Sequence, residues 1–557
     1  VIHRRYAAAL FVSYLLWAVI LTYPLVQQPF SHIPLGDEKV ATVPFFNLWT
    51  LQWNIDQLMQ GYPNYWDAPI FAPLSGTFAF SETQPLSALL AAPFWLGFQS
   101  PAFGYNVIVI LFLTLNGWFA HWLLQSWQLP KLPAFLGGLI MMSLPFVAQE
   151  MGVLQLIALF GLLWSLLFLS RFLRDARSWK NSIGLALGMP VTFFTCGYYG
   201  LFSVFFLPLF FITQLQRIHL KPVALIRLSI IGVLIIALSG PFLLAQKQRL
   251  DQHGFTRSAQ TIQNNSAKLK YYANFLDYNL LYGQLLGVES GAGQRLLPGI
   301  GLMVLAIVGL FGGGYFRIKL YLGLAVILAL LLSLGLRLQL GPIQLYQWIR
   351  EVVPGFLQLR SPFRFAGLVQ LHLALLAGFG LYNLYRWLPR GGQAGTVIAT
   401  LIILFESLAL PLPLQSVPNL NEQAQWQAWL QQRQQPSRIV MLPFAPSNRV
   451  ADFAQTTHWM LMQPQFEATM LNGYSGFFPA DRARLVITVV VDEPTMPGPG
   501  YGGLVAAPAF RNVAEFCIQA LAIPPSREEP PRVSTRSLES ASLPNNRTRA
   551  RPIATAF

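Results

Sequence analysis

The stretch VIHRRYAAALFVSYLLWAVILTYPLV, residues 1–26, places Arg4 and Arg5 before a long apolar run. Residues 8–26 are enough to cross a hydrocarbon layer of about 30 Å as one helix. No small-residue cleavage site follows, so the run reads as a retained first membrane helix with its basic end in the cytoplasm. The first residue is Val, which fits a fragment or an alternative start. A few residues later comes SHIPLGDEKVATVPFFNLW, 31–49, with two adjacent acids, Asp37 and Glu38. Pro34 and Gly36 break any helix there and turn the chain back toward the membrane surface.

The rest of the chain repeats the first pattern. It is 54% hydrophobic and 11% charged, whereas soluble domains carry about 25% charged residues. That excludes one large soluble core and indicates an α-helical polytopic membrane protein. Apolar runs near 8–26, 102–124, 132–148, 153–172, 182–198, 200–216, 223–246, 297–313, 318–336, 366–386 and 394–412 predict about eleven transmembrane helices. The run at 86–99 is shorter, contains Pro93, and reads as interfacial or re-entrant. The net charge of +15 does not indicate nucleic acid, because the basic residues form short clusters between apolar runs. Cys196 and Cys517 lie in unlike surroundings and predict neither a disulfide nor a cysteine metal site.

With the N-terminus cytoplasmic, the basic clusters RFLRDARSWK, QRIHLKPVALIR, FRIK and YRWLPRGG all fall on the cytoplasmic side of a cell (inner) membrane. The large external loop 27–101 has one Lys, Lys39, against Asp37, Glu38, Asp56, Asp67 and Glu82. Loops 247–296 and 337–365 are external yet basic, an anomaly that asks for a reason. The membrane domain is expected to span 1–412. A small α/β external region follows at 413–484, with a strand pattern at 439–444. Beyond it lie a segment at 485–526 and a Pro-, Ser- and Arg-rich tail at 527–557 with the composition of disorder.

The external face carries the candidate chemistry. Asp37 and Glu38 read either as solvated loop acids or as a general base with an orienting neighbour, and Glu82 in FSETQP is a further candidate acid. Trp49 and Trp53 are four residues apart on a predicted helix, suited to an interfacial belt or to a platform for sugar rings. Arg360 and Arg364 in LQLRSPFRF stand at the membrane interface, where guanidinium forks suit phosphate oxygens or snorkel to headgroups. Lys247 and Arg249 follow another helix on the same side. His458 and Tyr474 border an expected acceptor site. The cofactor is left open, a divalent metal ion on one carboxylate being one reading, and no metal ligands are singled out.

GDEKVATVPFFNLW (36–49), IFAPLSGTFAFSETQPL (70–86), LQLRSPFRFAGLVQLHLALLAGFGL (357–381) and LNGYSGFFPADR (471–482) together resemble bacterial multi-pass glycosyltransferases of the GT-C class, over about 1–484. The resemblance implies a GT-C-like bundle, a polyprenyl-phosphate sugar as lipid-linked donor, contact with membrane lipids, and Asp37 as the catalytic acid of the first external loop. Residues 485–526 are similar to the end of a penicillin-binding protein transpeptidase domain. No Ser-x-x-Lys or Lys-Thr-Gly motif accompanies that segment, so no acylating serine is implied. The chain reads as a mosaic joined near Arg484. A transporter or flippase of lipid-linked precursors is the competing reading, kept open by Glu406 inside the last apolar run, and a non-catalytic membrane protein is a third.

Overall fold

The computed structural model describes residues 2–479, apart from 217–220, 340, 342–343, 389–390, 420–426, 428–437, 444, 446, 448 and 466–467, together with Arg511. The transpeptidase-like segment 485–526 and the tail 527–557 therefore lie outside the described residues, Arg511 excepted. Val1–Arg482 form one compact unit.

Every apolar run becomes helical. The elements are α1 Ile2–Leu21, β1 His32–Pro34, α2 Thr42–Gln60, α3 Pro85–Phe98, α4 Pro101–Ser126, α5 Lys131–Met142, α6 Pro145–Gln149, α7 Phe160–Arg174, α8 Trp179–Thr195 and α9 Gly197–Gln214. They continue with α10 Pro222–Gln252, α11 Ala259–Asn264, α12 Ile300–Phe311, α13 Phe316–Ser333, α14 Leu345–Val352, α15 Phe365–Trp387 and α16 Gly392–Ser407. The order ends with β2 Leu414–Ser416, β3 Arg438–Ile439, α17 Ala454–Met462 and β4 Thr469–Met470.

Among the described residues, eight helical segments are long and apolar enough to cross a membrane: Arg4–Leu21, Pro101–Ser126, Lys131–Gly152, Leu154–Arg174, Gly197–Gln214, Pro222–Gln252, Phe316–Ser333 and Pro362–Trp387. The other three predicted spans fold as shorter helices, α8, α12 and α16. The 12 residues of α12 rise only about 18 Å at 1.5 Å each, short of the ~30 Å hydrocarbon layer. The expected re-entrant run is the helix α3, which holds Pro93 and exposes Leu89, Phe94, Leu96 and Phe98.

Helix α15 is the axis of the bundle, buried along most of its length. Small residues let its neighbours come close. At the crossing with α12, a Cβ on Gly380 would lie 2.1 Å from Leu305 O, and one on Gly309 2.0 Å from Leu376 O. Such close backbone approach is how membrane helices gain dispersion contact where lipid leaves no hydrophobic drive to associate. At the periphery, α10 presents Leu225, Ile226, Val233 and Ile236 outward, as a lipid-facing helix does.

The described residues of 413–479 pack against the first loop. β1 pairs antiparallel with β2, His32 opposite Ser416 and Pro34 opposite Leu414, and Leu35 N–H donates to Pro413 O (2.8 Å). The two-residue strands β3 and β4 pair in parallel, and β4 also bonds to loop 69–72 through Met470. Phe477 N–H donates to Phe80 O (2.8 Å), and Tyr474 meets Phe46 edge-on at 5.2 Å. These contacts hold the described part of the segment on the first loop. The first loop and the chain after Leu412 thus share one end of the bundle.

Candidate active site

Asp37 and Glu38 stand on a tight turn, and the turn requires glycine. Gly36 has φ +63°, and a Cβ there would lie 2.7 Å from Gln149 O and 2.8 Å from Gly152 N. Gly152 answers from the other side, where a Cβ would be 2.3 Å from Leu35 O. The turn therefore lies flat against residues 149–152, and Asp37 N–H donates to Gln149 O (3.1 Å). The polar end of the segment Lys131–Gly152 thereby fixes the height of both acids.

A cavity of about 1080 Å³ opens beside this turn. It is lined by the acids Asp37, Glu38, Glu82, Glu150, Asp251 and Glu351 and by the bases Lys39, Lys247, Arg257, Arg350, Arg360 and Arg364. Tyr198, Tyr474 and Phe477 also line it, and Phe193, Leu201, Leu243 and Leu250 form an apolar flank from α8, α9 and α10. A smaller pocket of about 330 Å³ lies on the other side of the turn, lined by Gly36, Asp37, Glu38, Lys39, Asp277, Tyr278 and Pro413. Asp37 and Glu38 line both spaces.

The two acids have different surroundings. Burial raises the pKa of Asp37, while Arg295 and Lys39 pull it back and Asp277 adds to the rise. Asp277 pairs with Arg295 (3.2 Å) and with Lys39 (3.7 Å), so these groups form one network at the small pocket. Burial also raises Glu38, helped by the Asp37 charge and opposed by Arg364 and Arg360. Glu38 thus feels the arginines, and Asp37 feels the charges of Arg295, Lys39 and Asp277.

Glu82 is deep inside yet open to the cavity, and its oxygens are occupied. Tyr198 N–H donates to Oε1 (3.1 Å) and Gln155 Nε2 to Oε2 (3.0 Å). Burial raises its pKa, and Arg364 and these hydrogen bonds lower it. A carboxylate held in this way suits a positioning role beside Arg364 better than that of a base. Gln84 Nε2 bridges Asn47 Oδ1 (2.9 Å) and Gln155 Oε1 (3.3 Å), which ties α2 to this layer.

Arg364 is 9% exposed, stacks on Tyr198 with the guanidinium 4.1 Å from the ring centre, and leaves Nε without a partner. Among the described residues, none of the four cavity arginines has a carboxylate within ion-pair distance; the pairs are Lys39–Asp277, Lys247–Asp251 and Arg295–Asp277. Lys247 reaches the cavity rim, while Arg249 lies over Trp66 at 5.7 Å.

Six of the nine residues singled out from sequence, Asp37, Glu38, Glu82, Arg360, Arg364 and Tyr474, line this cavity. Trp49, Trp53 and His458 do not line it. Trp49 is 2% exposed and stacks on Phe46 at 5.7 Å. Trp53 donates its indole N–H to Tyr65 O (2.9 Å). Both rings pack α2 onto its own loop. His458 packs on Phe45 at 6.3 Å, and burial lowers its pKa. Arg257 and Arg350 were missed. The signal for them was the positive charge on two loops placed on the wrong side by the positive-inside rule.

A divalent ion would find Asp37 and Glu38 but not a ligand set of three. Among the described residues no group of three or more His, Cys, Asp and Glu stands close enough to hold a metal.

Among solved structures, the chain is similar to the arabinofuranosyltransferase AftD from mycobacteria, with a TM-score of 0.51 and 13% identity over 80% of this chain and 30% of that one. The chain has the GT-C fold. It is also similar to the oligosaccharyltransferase AglB from Archaeoglobus fulgidus, in a complex with an inhibitory peptide and a dolichol-phosphate, at a TM-score of 0.47 and 12% identity over 85% of this chain and 65% of that one. The chain spans less than a third of the length of AftD. No protein-family model matches it. Two curated proteins match short stretches, in keeping with the transpeptidase-like end. The probable peptidoglycan D,D-transpeptidase PbpC of Pseudomonas aeruginosa is 41% identical over 64 residues, 11% of either chain. The probable peptidoglycan D,D-transpeptidase PenA of Neisseria flavescens is 39% identical over 54 residues, 10% of this chain and 13% of that protein.

Proposed function

We propose that the protein is a glycosyltransferase that moves a sugar from a polyprenyl-phosphate donor to an acceptor on the external face of the membrane. One observation carries the reading: acids and arginines from distant parts of the chain together line a single cavity with an apolar flank. Arg360 and Arg364 hold the donor phosphate, since guanidinium forks match phosphate oxygens and, among the described residues, neither is in an ion pair. Phe193, Leu201, Leu243 and Leu250 receive the first part of the prenyl chain. The acceptor enters at the smaller pocket and presents its hydroxyl to Asp37.

In the transfer, the acceptor oxygen bonds to the anomeric carbon as the bond from that carbon to the phosphate oxygen breaks. The acceptor proton passes to Asp37, and the electron pair stays on the phosphate, whose developing charge the arginines stabilise. Glu38 keeps the field at Asp37 negative and feels Arg364. Glu82 holds Arg364 in place.

A transporter reading drew on Glu406. That carboxylate caps α12: it accepts from Gly301 N–H (2.8 Å), from Ile300 N–H and from the Tyr282 hydroxyl. A charge engaged in a helix cap is a structural element rather than a carrier site.

The purified protein, incubated with polyprenyl-phosphate pentoses and hexoses, should release free polyprenyl phosphate, and the Asp37→Asn variant should not. Neither release nor donor binding from any of them, by protein that remains folded, would refute the proposal.

A further inference from the structure

Three buried amides form a polar layer at the wall of the cavity. Asn47 is 1%, Gln84 3% and Gln155 7% exposed, and all three line the cavity. Their hydrogen bonds have a fixed direction. At one end Gln155 Nε2 donates to Glu82 Oε2 (3.0 Å), and an ionised carboxylate only accepts. That leaves Gln155 Oε1 as an acceptor toward Gln84 (3.3 Å). At the other end Asn47 Nδ2 donates to Gly152 O (3.4 Å), and a carbonyl only accepts. That leaves Asn47 Oδ1 as a second acceptor toward Gln84 (2.9 Å). Both neighbours require the Nε2 of Gln84, so its amide has one orientation and Oε1 is left over. Among the described residues this oxygen has no hydrogen-bond partner. Gln84 also holds φ +49°, in the left-handed region that a residue with a side chain rarely occupies and that recurs at ligand sites. A buried acceptor without a donor is costly unless something else supplies one.

The layer joins the two ends of the transfer. Glu82, at one end, feels the charge of Arg364. Gly152, at the other, lies against the acid turn, where a Cβ would be 2.3 Å from Leu35 O and 3.2 Å from Glu38 Cγ. The transferred sugar has to lie between the phosphate and the base. Resting on the transferase reading, we infer that Gln84 Oε1 accepts a hydrogen bond from a hydroxyl of the donor's sugar, so that the protein takes sugars in which this hydroxyl is free and rejects their deoxy and O-methyl forms. Asn47 and Gln155 are positioning residues that hold the Gln84 amide in its one orientation. A deoxy sugar leaves the amide oxygen facing a C–H group, and an O-methyl sugar brings no hydrogen to donate.

The test uses the full chain in nanodiscs with undecaprenyl-phosphate arabinose, ribose, glucose, galactose and mannose, and with the monodeoxy analogues of each. Turnover is read as release of undecaprenyl phosphate and binding as a change in intrinsic tryptophan fluorescence. For the sugar that is transferred, loss of one hydroxyl should lower turnover by about tenfold to hundredfold, the range for leaving a buried acceptor unpaired. Gln84→Met keeps the side-chain length and removes the amide. It should use the parent donor and that analogue equally, and its binding of undecaprenyl phosphate shows that it is folded. Gln84→Glu, which keeps an oxygen in that place, should retain most of the selectivity. A purely structural role would lower turnover with parent and analogue alike and leave their ratio unchanged. Equal use of each parent and all its analogues by the unaltered protein, a comparison that needs no variant to fold, overturns the sugar subsite and leaves the transferase reading intact. Selectivity that survives in full in Gln84→Met overturns the assignment to Gln84. Neither release nor binding with any of the donors overturns both readings.

Discussion

Gly36→Ala tests whether the turn at the acids is what positions them. The new Cβ would sit 2.7 Å from Gln149 O, so that oxygen or the turn must move by about 0.7 Å to reach ordinary contact at 3.4 Å. The retreat cannot be shared freely, because Gly152 N is 2.8 Å away on the same side and both atoms are backbone. A φ of +63° adds about 1 kcal/mol of strain for a residue with a side chain. The next residue is Asp37, whose N–H bond to Gln149 O runs through the displaced atoms. Misplacement of a reacting group by about 1 Å costs roughly 10²-fold in rate, so turnover should fall by about 30- to 100-fold. Arg360 and Arg364 are untouched, so donor affinity should stay within about twofold. The assay is release of polyprenyl phosphate with donor binding measured alongside. Turnover equal to that of the unaltered protein, with the folded fraction unchanged, would refute the reasoning.

Asp37→Asn should lower turnover by ~10²–10⁴-fold at unchanged protein yield, the range for loss of a general base, and Glu82→Gln should cost less and mainly weaken donor binding; normal turnover in Asp37→Asn moves the base elsewhere. Burial raises Asp37 while Arg295 and Lys39 lower it, so removing the positive charge in Arg295→Gln should raise it further and shift the acid limb of the pH–rate profile to higher pH; a shift to lower pH contradicts the placement. Single cysteines at Lys39 and Ser416, in a variant without Cys196 and Cys517, should both react with an impermeant thiol reagent on intact cells, because β1 pairs with β2; labelling of one alone contradicts a shared external face. Glu406→Leu strands two α12 N–H groups and the Tyr282 hydroxyl, and should lower stability by roughly 1–3 kcal/mol in a denaturation series, with lipid-phosphate binding retained.

The helical membrane-bundle class was legible because it depends on local composition. An apolar run of about twenty residues has few folded alternatives in a bilayer, where every backbone group must bond within its own segment. The carboxylate pair at 37–38 and the arginines at 360 and 364 were legible as charges standing where an apolar chain has no local use for them. Trp49 and Trp53 show the opposite case. A tryptophan pattern on a helix is the same whether the rings face a sugar or Phe46 and Tyr65, and only the packed loop decides. The same holds for 413–479, whose composition suggests a domain but whose strand β2 finds its partner at His32–Pro34, some 380 residues earlier. Arg257 and Arg350 stood in the sequence only as misplaced charge. The cavity that they line exists because α8, α9, α10 and two loops converge there, and convergence over hundreds of residues is a property of tertiary packing that no local pattern encodes.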